Sequence, residues 1–252
     1  MTPGKILQQF TPGTIFRKQE FWNSVHAAAP GTAETAINWM LHTLIEKGKI
    51  VSVGYGRYMI PADNNKPGKK YQYPHSDEFL QIENLITEFF PYAVFQMWEL
   101  IQLNDFVNHQ IAKNVIFVEV EKMLMDSVYE LIHEHYPYAM YSPNEDSFYR
   151  QRAPETDIIV QKLLTEAPRP DSNHECTIEK ILVDLFSKKL SGALIERSEY
   201  KAIFEDVFQK YHVDEIRMFR YARHRNLDQT IRDFIQDQTN IRLITEPSGA
   251  AE

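Results

Sequence analysis

Residues Thr32–Ile60 constrain the fold of this 252-residue chain more than any other stretch. Ile37, Met40, Leu41, Leu44 and Ile45 recur at helical spacing, which puts them on one face and predicts an amphipathic helix. Thr32 is placed to cap its first turn by accepting from the free amides there. Lys47 suits the negative end of the helix dipole, and Gly48 can take the left-handed conformation that ends a helix. Ile50–Val53 and Arg57–Ile60 follow as β-type runs around Gly54-Tyr55-Gly56, whose glycines supply the positive φ of a tight turn. A helix that stops at a glycine and runs straight into a hairpin is how a winged helix-turn-helix ends. Double-stranded DNA is therefore the first partner to weigh.

The upstream residues complete that motif. Lys5–Phe10 predicts a first helix and Phe16–Val25 a second, with Phe21, Trp22 and Val25 facing inward. Pro30-Gly31 makes the turn into the third helix. Opposite its apolar face the third helix shows Thr35, Asn38, Trp39 and His42, and its first residues would meet base edges in the major groove. Asn38 is suited to a bidentate contact with adenine, and Thr32 or Thr35 to phosphate. Arg17 and Lys18 in the second helix, with Lys49 and Arg57 on the wing, complete the expected DNA-binding set. Small winged helices also serve as docking domains, so a protein-interaction module that never meets DNA is the alternative.

Charge is divided unevenly along the chain. The whole nets −8, which taken alone argues against a nucleic-acid binder. Up to residue 75 there are nine Lys or Arg against four acids, a net of +5, and the remaining 18 basic and 31 acidic residues net −13. Such segregation is expected when one domain meets phosphate and the other meets something else.

The length allows two domains, and a hydrophobic content of 43% is enough to fill a core in each. No run of apolar residues is long enough to span a membrane, and the N-terminus has no signal-peptide pattern, so a cytoplasmic protein without membrane partners is expected. Cys176 is the single cysteine, which excludes an intrachain disulfide and fits a reducing compartment. Only His174 is near it in sequence, so a catalytic role for the thiol is unsupported.

A stretch rich in proline, glycine, asparagine and lysine, Pro61–Ser76, interrupts the apolar periodicity. Beyond it Asp77–Phe90 predicts a helix with Phe79, Ile82, Leu85, Ile86 and Phe89 inward. Tyr92–Gln96 reads as a strand and Trp98–Val107 as helical. Asn114–Glu121 is the clearest strand, Lys122–His135 an amphipathic helix, and Thr156–Leu163 a second buried strand. Nearly everything from Thr177 to Gln238 reads helical. The expected fold is mixed α+β: a winged helix-turn-helix over 1–62, a linker over 63–76, an α/β domain over 77–245 ending in a helical bundle, and a disordered tail over 246–252.

Catalytic motifs are missing. A PD-(D/E)xK nuclease needs an acid two residues before a lysine, but position 120 before Lys122 is valine, and Lys162 lacks the acid as well. The glycine-rich loops and Asp-x-Asp pattern of nucleotidyltransferases are absent, and His133 and His135 do not share a helix face as metal ligands would. No enzyme activity, metal or cofactor is expected.

Three segments carry a family resemblance: the wing Gly48-Lys49-Ile50 to Gly56-Arg57-Tyr58-Met59-Ile60, the strand leading into an α/β domain, and the helix from Thr177 through Glu179-Lys180 to Asp184-Leu185. In these the chain resembles the AbiEi family, the antitoxin and transcriptional-regulator component of abortive-infection toxin-antitoxin systems. The resemblance implies repression of its own operon, binding of operator DNA, and neutralisation of a nucleotidyltransferase-type toxin by the C-terminal domain in antiviral defence.

Glu179 and Asp184 are candidates for partner contact, as are Arg217, Arg220 and Arg223. Both groups have a plainer reading. Ile178, Ile181, Leu182 and Leu185 form an apolar packing face that leaves Glu179 and Lys180 as solvated charges. Arg217, Arg220, Arg223 and Arg225 could pair with the domain's own acids, or could meet DNA or an acidic toxin surface.

Overall fold

Helix α3 (Glu34–Glu46) buries Ile37, Leu41 and Leu44, and this stripe organises the N-terminal part of the chain. The computed structural model describes residues 3–12, 14–54, 56–60, 70–153, 155–169, 174–187 and 190–245. The chain divides into two compact units, Met1–Lys69 with Arg242–Glu252, and Lys70–Ile241.

In the first unit α1 (Pro3–Leu7) is followed by β1 (Ile15–Arg17), α2 (Lys18–Ala28), α3, β2 (Val51–Gly54) and β3 (Arg57–Met59). The strands form one antiparallel sheet in the order β1-β3-β2, with Phe16 opposite Tyr58 and Ser52 opposite Tyr58 from the other side. Ile6, Leu7, Phe16, Phe21, Val25, Ile37, Leu41, Leu44 and Ile50 pack into a single apolar cluster.

Phe16 and Arg17, expected as the start of the second helix, belong with Ile15 to a strand, because all three pair with β3 along its free edge. Helix α2 begins only at Lys18, whose amide donates to the Gly56 carbonyl at 2.7 Å, while the Glu20 carboxylate accepts from the Arg17 amide at 2.5 Å. Thr32 does not cap α3. Ala33 is the cap residue, and the Thr32 hydroxyl donates to the Ala29 carbonyl at 2.8 Å. Gly48 and Gly56 adopt φ of 60° and 70°, the conformation that ends α3 and turns the hairpin. Tyr55, between the two hairpin strands, lies outside the described residues.

The second unit is built on a mixed sheet of order β4-β5-β7-β6, formed by β4 (Phe95–Glu99), β5 (Val115–Val120), β6 (Met140–Tyr141) and β7 (Asp157–Lys162). β4 runs antiparallel to β5, and β5, β7 and β6 are mutually parallel. Helices α4 (Asp77–Phe89) and α5 (Met125–His135) cover one face, where Phe79, Ile82, Ile86, Val128 and Ile132 meet Met97, Val118 and Val160. The opposite face carries α7 (Ile178–Leu185), which packs against α10 (Glu215–His224). The unit is completed by α6 (Glu145–Arg150), α8 (Leu190–Ala193), α9 (Tyr200–Lys210) and α11 (Asp228–Gln238).

Several boundaries differ from the sequence expectation. β4 starts at Phe95, and Leu100–Asp105 is 3₁₀. Met140–Tyr141 and Glu145–Arg150 were not foreseen as ordered elements; a two-residue strand carries no periodicity to read. Phe89, expected inward, is 58% exposed because it is the last residue of α4.

The expected linker is part of the second unit from residue 70 onward. Tyr71 packs edge-on against Tyr211, and His75 stacks on Phe79 with ring centres 3.8 Å apart. Buried Glu99 holds this entry segment: Oε1 lies 2.9 Å from His75 Nδ1 and accepts from the Ser76 amide at 2.9 Å. Its Oε2 accepts from Ser76 Oγ at 2.8 Å and Asn114 Nδ2 at 2.7 Å. A buried carboxylate needs such partners, so residues 75 and 76 are fixed to the sheet. Residues 63–69 and 246–252, expected as linker and tail, lie outside the described residues, and 242–245 group with the first unit.

Candidate functional site

The first unit gathers most of the expected nucleic-acid residues at its surface. Thr35, Asn38, Trp39 and His42 lie together on the outward face of α3, all exposed, and Trp39 is 67% exposed. Burial of Ile37, Leu41 and Leu44 on the other side fixes that orientation. Arg17 and Lys49 are exposed and Lys18 and Arg57 half-buried. Arg57 and Arg17 are direct cross-strand partners, which brings Arg57 beside the start of α2. Lys18 forms an exposed ion pair with Glu34 at 3.4 Å, and Thr32 is engaged with Ala29.

The second unit holds its charges inside. On the face of the sheet toward α7, Gln96 of β4, Glu119 of β5 and Gln161 of β7 are in register and form a polar row across three strands. Above the row sits Lys180, wholly buried, with Nζ 2.6 Å from Glu119 Oε1 and 2.6 Å from Asp184 Oδ2. Asp184 Oδ1 accepts from the Tyr221 hydroxyl at 2.9 Å, and Arg225 approaches the same oxygen at 4.0 Å. Gln161 Nε2 donates weakly to Glu119 at 3.4 Å, and Gln96 Nε2 donates to the Pro168 carbonyl at 2.9 Å.

Burial alone would push the Lys180 ammonium down, yet the carboxylates of Asp184 and Glu119 hold it well above its ordinary value. Lys180 is therefore an internal cation paired with two carboxylates. Burial drives the Cys176 thiol well above its usual range, the reverse of what a nucleophile requires.

These positions correct the partner assignment. Glu179 and Asp184 are 7% and 2% exposed. Glu179 accepts from the Asp214 amide at 3.0 Å, and Asp184 joins Lys180 to Tyr221, so neither carboxylate faces a partner. The reading of Glu179 and Lys180 as solvated charges fails for the same reason. Helix α7 is buried at every position, because α10 covers the side of it away from the sheet.

The arginine-rich helix divides. Arg225 turns inward to Asp184, and Arg217 donates to the Arg169 carbonyl. Arg220 and Arg223 are exposed. Arg217 and Arg220 line a cleft together with Arg169, a residue that sequence reasoning passed over because nothing in its loop marks it. The one available signal for the internal cluster was Glu119, an acid inside the otherwise apolar run Val115–Val120.

A family model described as "Family of unknown function (DUF6577)" matches residues 36–241, from α3 through the end of the second unit. No curated protein matches the chain. Among the described residues no helix is long and apolar enough to cross a membrane.

Proposed function

We propose that the chain, which belongs to the DUF6577 family of unknown function, is a DNA-binding transcriptional regulator whose first unit is a winged helix-turn-helix. The observation that carries this reading is the outward face of α3, where Thr35, Asn38, Trp39 and His42 stand exposed together. The helix and strand order of the first unit and its β1-β3-β2 sheet support it, as does the net charge of +5 up to residue 75. In this reading α3 enters the major groove, Asn38 and Trp39 meet base edges, and Arg17, Lys49 and Arg57 neutralise phosphates. Lys18 contributes by exchanging its weak pair with Glu34 for phosphate.

Neutralisation of a toxin by the second unit rests on the AbiEi resemblance alone. With Glu179 and Asp184 internal, Arg217, Arg220 and Arg223 are what remains of the expected contact set.

A gel-shift titration against the chain's own upstream DNA and a scrambled duplex tests the regulator reading. Replacing Lys49 and Arg57 by Ala should weaken binding to both duplexes alike and lower the salt slope by about 0.9 for each phosphate no longer neutralised. Asn38→Ala should cost about 1–3 kcal/mol on the preferred site and far less on the scrambled one. Absence of binding to either duplex at low salt would reject the reading and give the Trp39 face to protein docking.

A further inference from the structure

β5 and β7 run parallel and end side by side, with Val120 opposite Lys162. In α/β sheets the space outside the carboxyl ends of parallel strands is where ligands bind, because the connecting loops leave a crevice there. At this edge the Leu163 amide donates to the Val120 carbonyl at 2.7 Å, and the chain then turns sharply, the Ala167 amide reaching the Leu164 carbonyl at 3.3 Å. Glu166 takes a φ of 65° in that turn, a left-handed conformation that costs a non-glycine residue about 1 kcal/mol or more. Two hydrogen bonds hold the loop beyond the turn: Gln96 Nε2 donates to the Pro168 carbonyl, and Arg217 donates to that of Arg169.

The result is a cleft of about 360 Å³ between this turn and the start of α10, with Arg169, Arg217 and Arg220 on its wall. Among the described residues none of the three makes an ion pair, although the chain after residue 75 nets −13. Arginines in so acidic a region would normally find carboxylates. Among the described residues that line the cleft, Glu166 is the one acid, against three arginines.

We propose that this cleft is an anion site that takes the phosphate group of a small phosphorylated compound. The guanidinium fork matches phosphate oxygens in pairs, and the volume lies in the range of small-molecule sites. Thr165 supplies a further hydroxyl on the wall, and Leu163 and Leu164 an apolar one for the unphosphorylated part. A concave, bounded site favours a compact ligand over a nucleic-acid backbone, which needs an open, extended track. The site is independent of the DNA reading, which rests on the first unit.

The test is calorimetric titration of the full chain with pyrophosphate and with AMP, at ionic strength held constant with sodium chloride. Saturable binding of at least one probe is expected. Arg220→Gln and Arg169→Gln should each weaken it by about tenfold or more, with Arg220→Lys weakening it less. Glu166→Gln, which removes the opposing charge, should tighten it. Arg220 is exposed, so an unchanged melting temperature of Arg220→Gln without ligand establishes that folding is not at issue. No saturable binding of either probe, or equal binding by Arg220→Gln, overturns the proposal. So does weaker duplex DNA binding by Arg220→Gln without any probe binding, which would assign these arginines to the nucleic-acid backbone.

Discussion

In the first unit the described interior is apolar from Ile6 to Met59, and the charged side chains stay at the surface. In the second, Glu99, Glu119, Asp157, Lys180 and Asp184 are all buried, and every polar or charged residue buried among the described residues falls in this unit. The difference follows from the sheets. Helices cover both faces of the β4-β5-β7-β6 sheet, so a polar residue on its central strand has no solvent side to turn to and must be matched internally. The sheet of the first unit is a short antiparallel ribbon whose exposed positions can carry the basic residues proposed to meet DNA. One unit keeps its charge at the surface, and the other holds much of its charge in its own interior.

The largest expected effect breaks the internal cluster. Lys180→Met leaves Glu119 and Asp184 buried without their cation, which should cost about 3–5 kcal/mol. Urea unfolding would measure the loss, and hydrogen exchange would locate it. Protection should fall across β5, β7 and α7 and stay unchanged across α2 and α3. A parallel fall in α2 and α3 would show that the units are not energetically separate. Adding Glu119→Leu to Lys180→Met should recover part of the loss, because removing both charges is cheaper than stranding one.

A middle-sized effect concerns the anchoring of the entry segment. Burial alone would raise the Glu99 carboxyl, but bonds from His75, the Ser76 amide and hydroxyl, and Asn114 hold it below its ordinary value. A carboxyl depressed in this way stabilises the fold above its unfolded pKa, about 4.3, and that contribution is lost as pH falls through the lower folded value. Glu99→Gln should therefore cost about 1–3 kcal/mol at pH 7 and progressively less as acid removes the wild-type advantage. Thermal unfolding from pH 7 to pH 3 would follow this convergence. Curves that stay parallel throughout would mean that the Glu99 charge contributes nothing.

The smallest effect sits at the surface of the second unit. His109 Nδ1 lies 2.6 Å from Glu199 Oε1; the hydrogen bond and the charge of Glu199 raise the histidine, and the same pair lowers the carboxyl. The histidine contribution is fully present below its unfolded pKa, about 6.5, and fades as pH rises through the raised folded value. The carboxylate contribution is lost on the acid side, so the pair acts between the two. His109→Ala should slightly lower the melting temperature at pH 6 and leave it unchanged at pH 9. An equal loss at both would indicate packing and not charge.

Local pattern alone determined α3, the positive-φ glycines that end it and turn the hairpin, the central strands β5 and β7, and helices α4 and α5. In each of these, side-chain periodicity or a glycine stop acts within a few residues of the backbone it shapes. Local pattern also placed Thr35, Asn38, Trp39 and His42 on the outward face of α3, since three buried aliphatics at helical spacing leave only one face for solvent.

Tertiary structure alone decided the rest. Pairing with β3 made residues 15–17 a strand, and three hydrogen bonds to Glu99 drew His75 and Ser76 out of an apparent linker. Register brought Gln96, Glu119 and Gln161 into one row beneath Lys180, and α10 closed over α7 so that Glu179 and Asp184 became internal. The physical reason is the same throughout. Whether a charge is solvated or paired depends on which distant segment covers it, and Lys180 is separated from Glu119 by 61 residues of chain.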